Sequence, residues 1–156
     1  MITNEEAERI DGEFAEALDI ETVSTRQAAT KMYEAWQDLY SIMERENNYS
    51  DKLGSDILDW QIGNWANDVT TALHNAGLYK ECIEVNRQIL EISWGHGKDL
   101  FYENARRDIA DEYSASGDIQ TCFRLYEEYL NDDPLWGWGW IGYFRQLNDH
   151  SDIRYE

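Results

Sequence analysis

Displaced against itself by 40 residues, the chain superposes Gly77 on Gly117, Cys82 on Cys122, Asp68 on Asp108, Val69 on Ile109 and Leu90 on Leu130. So many coincidences at one offset mark a repeated supersecondary unit, and they constrain the fold more than any single motif does. Each unit reads as helix, Gly turn, helix. Such a pair leaves an apolar side open unless a neighbour stacks on it, so the repeat specifies a stack of helix pairs.

The remaining punctuation extends this pattern to seven helices. Thr3-Asn4-Glu5-Glu6 has the form of a capping box and predicts a first helix to about Leu18. Ala29, Met32, Tyr33, Trp36, Leu39, Tyr40 and Met43 recur at three- and four-residue spacing, predicting a second helix from Ser24 or Thr25 to about Glu46. Ser55 is the expected cap of a third, with Leu58, Ile62, Trp65, Val69, Ala72, Leu73 and Ala76 on its apolar face and Gly77 as its stop. A fourth is expected from Tyr79 to Ile92. After the break Trp94-Gly95-His96-Gly97-Lys98-Asp99, a fifth should reach Gly117, a sixth run from Asp118 to Asn131, and a seventh follow Pro134. The expected organisation is one all-α domain over 1–156: an N-terminal helical pair at 1–54, further pairs at 55–94 and 99–134, and a terminal helix at 135–156.

Composition agrees with that architecture and excludes several functions. A single Pro argues against a turn-rich sheet protein, and 42% hydrophobic residues with 7 Trp and 10 Tyr supply enough apolar surface for a core. No apolar run reaches the roughly 20 residues of a membrane span, and the acidic opening is unlike a signal peptide, so a cytoplasmic protein is expected. Two Cys are too few for a disulfide framework or a four-Cys zinc site. The net charge of −19 argues against direct contact with nucleic-acid phosphates or anionic lipid. His74, His96 and His150 lack metal-ligand spacing, and no phosphate loop or nucleophile elbow occurs. Neither catalysis, a cofactor nor a metal is expected.

From Glu103 to Pro134 the chain resembles a tetratricopeptide repeat. Ala110 matches the small residue of the first helix, Tyr113 the aromatic, Gly117 the turn, Cys122 the small residue of the second helix and Pro134 the close. Trp138, Ile141 and Gly142 then fall on the Trp, Leu and Gly positions of a following repeat, which makes Trp138 and Ile141 core residues. More narrowly, Asn131 to Gly142 and Leu73-His74-Asn75-Ala76-Gly77-Leu78 are similar to bacterial tetratricopeptide-like proteins joined to a zinc-binding SEC-C tail. The resemblance covers Ser55 to Tyr143. No Cys-rich tail follows, so the metal module's role does not carry over, and the helical part brings no activity with it.

What the resemblance implies is a right-handed superhelical stack with a groove lined by first helices. Its groove positions fall on Asn64, Asn67, His74, Asn104, Arg107, Asp111, Trp136 and Tyr143, residues suited to hydrogen-bonding and stacking on an extended peptide. Cys82 and Cys122 are expected as small packing residues, not redox groups. The expected function is a non-enzymatic adaptor for a protein partner, either a peptide or a basic protein surface.

The charge supports an alternative. Glu5, Glu6, Glu13, Asp108, Glu112, Glu127, Glu128, Asp132 and Asp133 form acidic patches, and carboxylates on successive helical turns repeat at about 5 Å, near the phosphate spacing of a nucleic-acid strand. On this reading the chain is an acidic decoy that fills the basic channel of a DNA- or RNA-binding enzyme, as phage-type anti-restriction or anti-CRISPR proteins do.

Overall fold

The computed structural model describes residues 1–21, 25–95 and 98–152. Among the described residues seven helices run in order: α1 (Asn4–Glu21), α2 (Thr25–Glu46), α3 (Ile62–Asn75), α4 (Tyr79–Glu91), α5 (Lys98–Ala115), α6 (Ile119–Asp132) and α7 (Gly137–Asp149). Each packs on its neighbour in sequence, with α2 also meeting α4 and α5 also meeting α7. No strand occurs among the described residues; one isolated bridge, Ser50 with Ser93, ties the two long connections together.

The repeat is legible in the turns. At Gly77 the backbone takes φ +72° and at Gly117 φ +97°, left-handed values that glycine adopts without a Cβ clash. Around each, the same pair of bonds closes the helix. Gly77 N–H donates to the His74 carbonyl and Leu78 N–H to Leu73; 40 residues later Gly117 donates to Ser114 and Asp118 to Tyr113. This double bond pattern satisfies carbonyls that the helix end would otherwise leave open. Cys82 and Cys122 are buried free thiols at equivalent places in α4 and α6, and burial pushes Cys122 up to about 12. Both pack between helices, and burial disfavours the thiolate that cysteine chemistry needs.

The capping box forms as expected. Thr3 N–H donates to the Glu6 carboxylate at 2.9 Å, and Glu6 N–H to the Thr3 hydroxyl at 3.2 Å. The start of α3 differs. Residues 51–57 form successive turns and the helix begins only at Ile62, where Gln61 supplies no side-chain cap. Ser55 therefore caps nothing; it follows Lys52 in a chain of tight turns, its N–H donating to the Lys52 carbonyl. Leu58 still packs against the core, but from a loop. Ser24, His96 and Gly97 lie outside the described residues.

Two apolar cores result. The larger joins α1 to α4 with the beginning of α5 around fully buried Trp36 and Trp65, the latter stacked on Phe14 with ring centroids 4.2 Å apart. Along its edge, α2 is keyed to α4 by Tyr33 to Glu84, Trp36 to Gln88 and Tyr40 to Glu91, at 2.7, 2.8 and 2.6 Å. The smaller core joins the second half of α5 with α6 and α7 through Ala110, Cys122, Phe123, Tyr126, Leu130, Trp136 and Tyr143.

In α7 the inward face is opposite to the one expected. Trp138 and Ile141, assigned to the core by the repeat register, are 59% and 57% exposed, whereas Trp136, assigned to the groove, is 3% exposed and Tyr143 is buried. The true inward stripe is Trp136, Gly139, Gly142, Tyr143 and Gln146. A register slip of two residues turns a helix by about 200°, exchanging its faces. The glycines show why this packing wins: a Cβ on Gly139 would collide with the Trp136 indole, and one on Gly142 with the Tyr126 hydroxyl. Gly here serves close approach, at the expense of helix propensity.

Arg106 locks the second core. It is buried, with its guanidinium carbon 4.1 Å from the Trp136 ring centroid and 4.6 Å from that of Tyr102, and it donates to Asp133 at 3.4 Å. Aromatic faces attract such a cation, the more so away from water.

Candidate functional site

Where the two cores meet, α3, α5 and α7 bound a cleft of about 570 Å³. The helix period places Asp108, Asp111, Glu112 and Ala115 of α5 along its floor. Thr70, Thr71 and His74 of α3 form one wall, and Arg145, Gln146 and Asp149 of α7 the other.

The polar groups on the α7 side form a closed network. Asp111 accepts from Tyr126 at 2.7 Å, from Gln146 at 2.9 Å and from Arg145 at 2.5 Å. Ser114 donates to Gln146 at 2.8 Å and meets His150 Nε2 at 3.0 Å. Asp111 is thus compensated by a guanidinium and two neutral donors.

The α3 side is not closed. His74 Nδ1 lies 2.6 Å from Glu112 Oε1, with the imidazole more than half exposed and Glu112 only 4% exposed. Glu112 Oε2 is buried without a hydrogen-bond partner. Burial raises the Glu112 carboxyl, against the opposing effect of His74. Asp108, one turn earlier, is half-buried, and burial pushes it up to about 6, only partly offset by Arg107 and His74. Desolvation disfavours the charged form of both acids.

Of the groove residues expected from sequence, His74 and Asp111 line this cleft. Arg107 does not line it; its guanidinium lies 5.9 Å from the Trp138 ring centroid. Asn67 is exposed on α3 and Asn104 half-buried on α5, neither lining the cleft. Asn64 opens instead onto a separate depression of about 510 Å³ beside Trp94 and Phe101. Trp136 and Tyr143 are core residues and cannot line a groove. Sequence reasoning missed Trp138, Arg145, Gln146 and Ser114. For two of them the signal is the second glycine pair: once Gly139 and Gly142 are read as points of close approach, Trp138 and Arg145 fall outside the inward stripe.

The acidic residues expected to form patches are largely engaged. Glu6 pairs with Arg45, which together with the cap holds its carboxyl down at about 2. Glu13 sits 4.0 Å from Arg9, Glu128 pairs with Arg124 at 2.7 Å, Glu127 accepts from Tyr143 at 2.5 Å and Asp133 from Arg106. Glu112 is buried and so belongs to no surface, and Asp108 belongs to the cleft. Glu5 and Asp132 are exposed, on α1 and α6 respectively.

Among the described residues, no group of three or more His, Cys, Asp or Glu side chains is arranged to hold a metal ion, and no helix is long and apolar enough to cross a membrane. Compared with family models, curated proteins and solved structures, the chain matches none.

Proposed function

We propose that this chain is a non-enzymatic binding module of the tetratricopeptide-like kind, which holds an extended segment of a partner protein in the cleft between α3, α5 and α7. The observation that carries this reading is the convergence of His74, Asp108, Asp111, Glu112 and Arg145 from three helices on one open cleft; earlier on two of those helices, α7 and α5, Trp138 is exposed with Arg107 5.9 Å from its ring centroid. Charged groups in a concave, partly desolvated setting, next to an aromatic that can stack, are what recognition of a peptide segment uses. The lining comes from α3, α5 and α7, the first helices of successive units, together with Cys82 of α4.

The acidic-decoy alternative draws on the charge of −19, but the carboxylates it needs are mostly partnered within the chain, and its exposed members Glu5, Glu127, Glu128 and Asp132 are divided between α1 and α6. Exposed, paired charges contribute little net field at physiological salt. The cleft reading is therefore preferred.

Selection from a random peptide display library tests it. Peptides enriched on the wild-type chain are expected to lose at least tenfold in affinity towards a Trp138→Ala, Arg107→Ala double variant. Enriched peptides that bind this variant as tightly as wild type would remove the cleft from the function. Binding abolished instead by Lys at Glu127, Glu128 and Asp132, with steep salt dependence, would point to the decoy.

A further inference from the structure

We propose that α7 is a self-association face, which packs against α7 of a second copy about a two-fold axis through Trp140, Ile141 and Phe144. The outward side of this helix repeats at helical spacing just as its inward side does. Gly137, Trp140, Ile141, Phe144 and Asn148 recur every three or four residues, and all are exposed. Five of the nine exposed large hydrophobic side chains among the described residues fall between Leu135 and Phe144, so they form one patch and not a scatter. A helix apolar on both sides belongs between two packing layers, and the second core supplies one of them.

Charge selects the occupant. The chain carries 32 acidic residues in 156, yet Pro134 to Asn148 holds none, the longest acid-free run in the sequence. Two chains of net charge −19 repel each other, so they meet at least cost on a face free of carboxylates. A basic partner would be drawn elsewhere, to the acidic helices, whereas α7 of a second copy offers the same uncharged, apolar surface, as an isologous contact requires.

The aromatic rings of the patch are already fixed. Trp140 Nε1–H donates to the Pro134 carbonyl at 2.9 Å, and the indole stacks on Phe144 with ring centroids 5.7 Å apart. Its polar atom is thus satisfied before burial, and little rotamer freedom is left to lose on association. Leu135, Trp140, Ile141 and Phe144 are 94, 37, 57 and 60% exposed. Together they leave on the order of 500 Å² open per copy, or about 1,000 Å² over two copies, which meets the lower limit for a specific interface and fits a reversible dimer. Trp138 lies two turns before Arg145, on the cleft side of α7, and is left to the cleft.

Sedimentation velocity of the full chain tests this, over about 5 to 500 μM protein, a range that covers weak association. It is run at about 0.05 and 0.5 M NaCl, between which the screening length shortens about threefold. Three proteins are compared: wild type, Ile141→Asp, which sets like charges against each other near the axis, and Trp60→Asp, which places the same charge at an exposed aromatic before α3. Wild type and Trp60→Asp are expected to pass from monomer to dimer as concentration rises, more tightly at the higher salt because repulsion is screened, and Ile141→Asp to associate at least tenfold more weakly. Wild type that stays monomeric throughout would overturn the proposal, as would association that Ile141→Asp leaves intact, that weakens with salt, or that runs past the dimer. Should Ile141→Asp lose its helical circular dichroism, Phe144→Ser gives the same comparison. Display-selected peptides separate this inference from the cleft reading: peptides that bind Ile141→Asp as tightly as wild type leave the cleft reading standing whatever the oligomeric state. Peptides that need Ile141 on a wild type that stays monomeric would give this face to another partner and overturn the second copy.

Discussion

The two cores of this molecule are built on different terms. The first, across α1 to α4, is large and mostly apolar, with Trp36, Trp65, Phe14, Met32 and Leu39 filling its centre, a buried Asn86 amide donating to the Cys82 carbonyl, and side-chain ties between helices along its edge. The second, across α5 to α7, is small and threaded with polar groups: Tyr126 on Asp111, Tyr143 on Glu127, and Arg106 between Trp136 and Tyr102. The first supplies most of the apolar burial, whereas the second is smaller and leaves carboxylates of α5 and a guanidinium of α7 lining a shared cleft. Functional surfaces are expected where packing is least optimised.

The largest expected effect is on the first core. Trp65→Ala removes a fully buried aromatic and its stacking partner's contact, and is expected to cost about 3–5 kcal/mol, measured by urea denaturation followed by circular dichroism. A loss under about 1 kcal/mol would mean that the first core is not the anchor described here. Next comes Gly139→Ala, whose added methyl has nowhere to go but into the Trp136 ring. About 2–3 kcal/mol is expected, with native-state hydrogen exchange speeding up in α6 and α7 while α1 to α4 keep their protection. Uniform loss across all seven helices would erase the distinction between the cores.

The third effect has the opposite sign. The Asp108 carboxyl titrates near 6 in the folded chain against about 3.9 when unfolded. A raised carboxyl contributes stability that is complete below the unfolded value and lost as pH rises through about 6. Asp108→Asn is therefore expected to stabilise by about 1–2 kcal/mol at pH 8 and to have no effect at pH 4 and below, read from thermal melts across that range. Destabilisation at pH 8 would show that Asp108 serves the fold and not the cleft. The smallest effect is at the far end of the molecule, where Thr3→Ala removes half of the capping box on α1 and is expected to cost about 1 kcal/mol.

The same contrast explains what could be read from the sequence. The ends of α3 and α5 and the starts of α4 and α6 were legible because Gly77 and Gly117 are needed at positive φ, a purely local requirement that the 40-residue repeat displays twice. The start of α3 was not, because Ser55 has the chemistry of a cap while the turns after Ser50, tied to Ser93 in the next connection, keep the backbone out of a helix until Ile62. On α7 the element was legible and its face was not. Trp and Gly alternate there, so apolar periodicity cannot separate two registers that differ by two residues, and only the non-local fit of Gly139 and Gly142 against Trp136 and Tyr126 decides. Of the cleft, His74 and Asp111 could be found by counting repeat positions. Pairing between Asp111 and Arg145, and the lack of it at Asp108, depend on how three helices meet.

The central claim is that recognition takes place in the cleft between α3, α5 and α7. It is tested most directly by mapping amide chemical-shift changes across the chain when a display-selected peptide is added. The account predicts changes concentrated at Thr71, His74, Arg107, Asp108, Asp111, Trp138 and Arg145, with α1 and the outward face of α6 unmoved; changes centred on Glu5 in α1 or on Glu128 and Asp132 in α6 would contradict it.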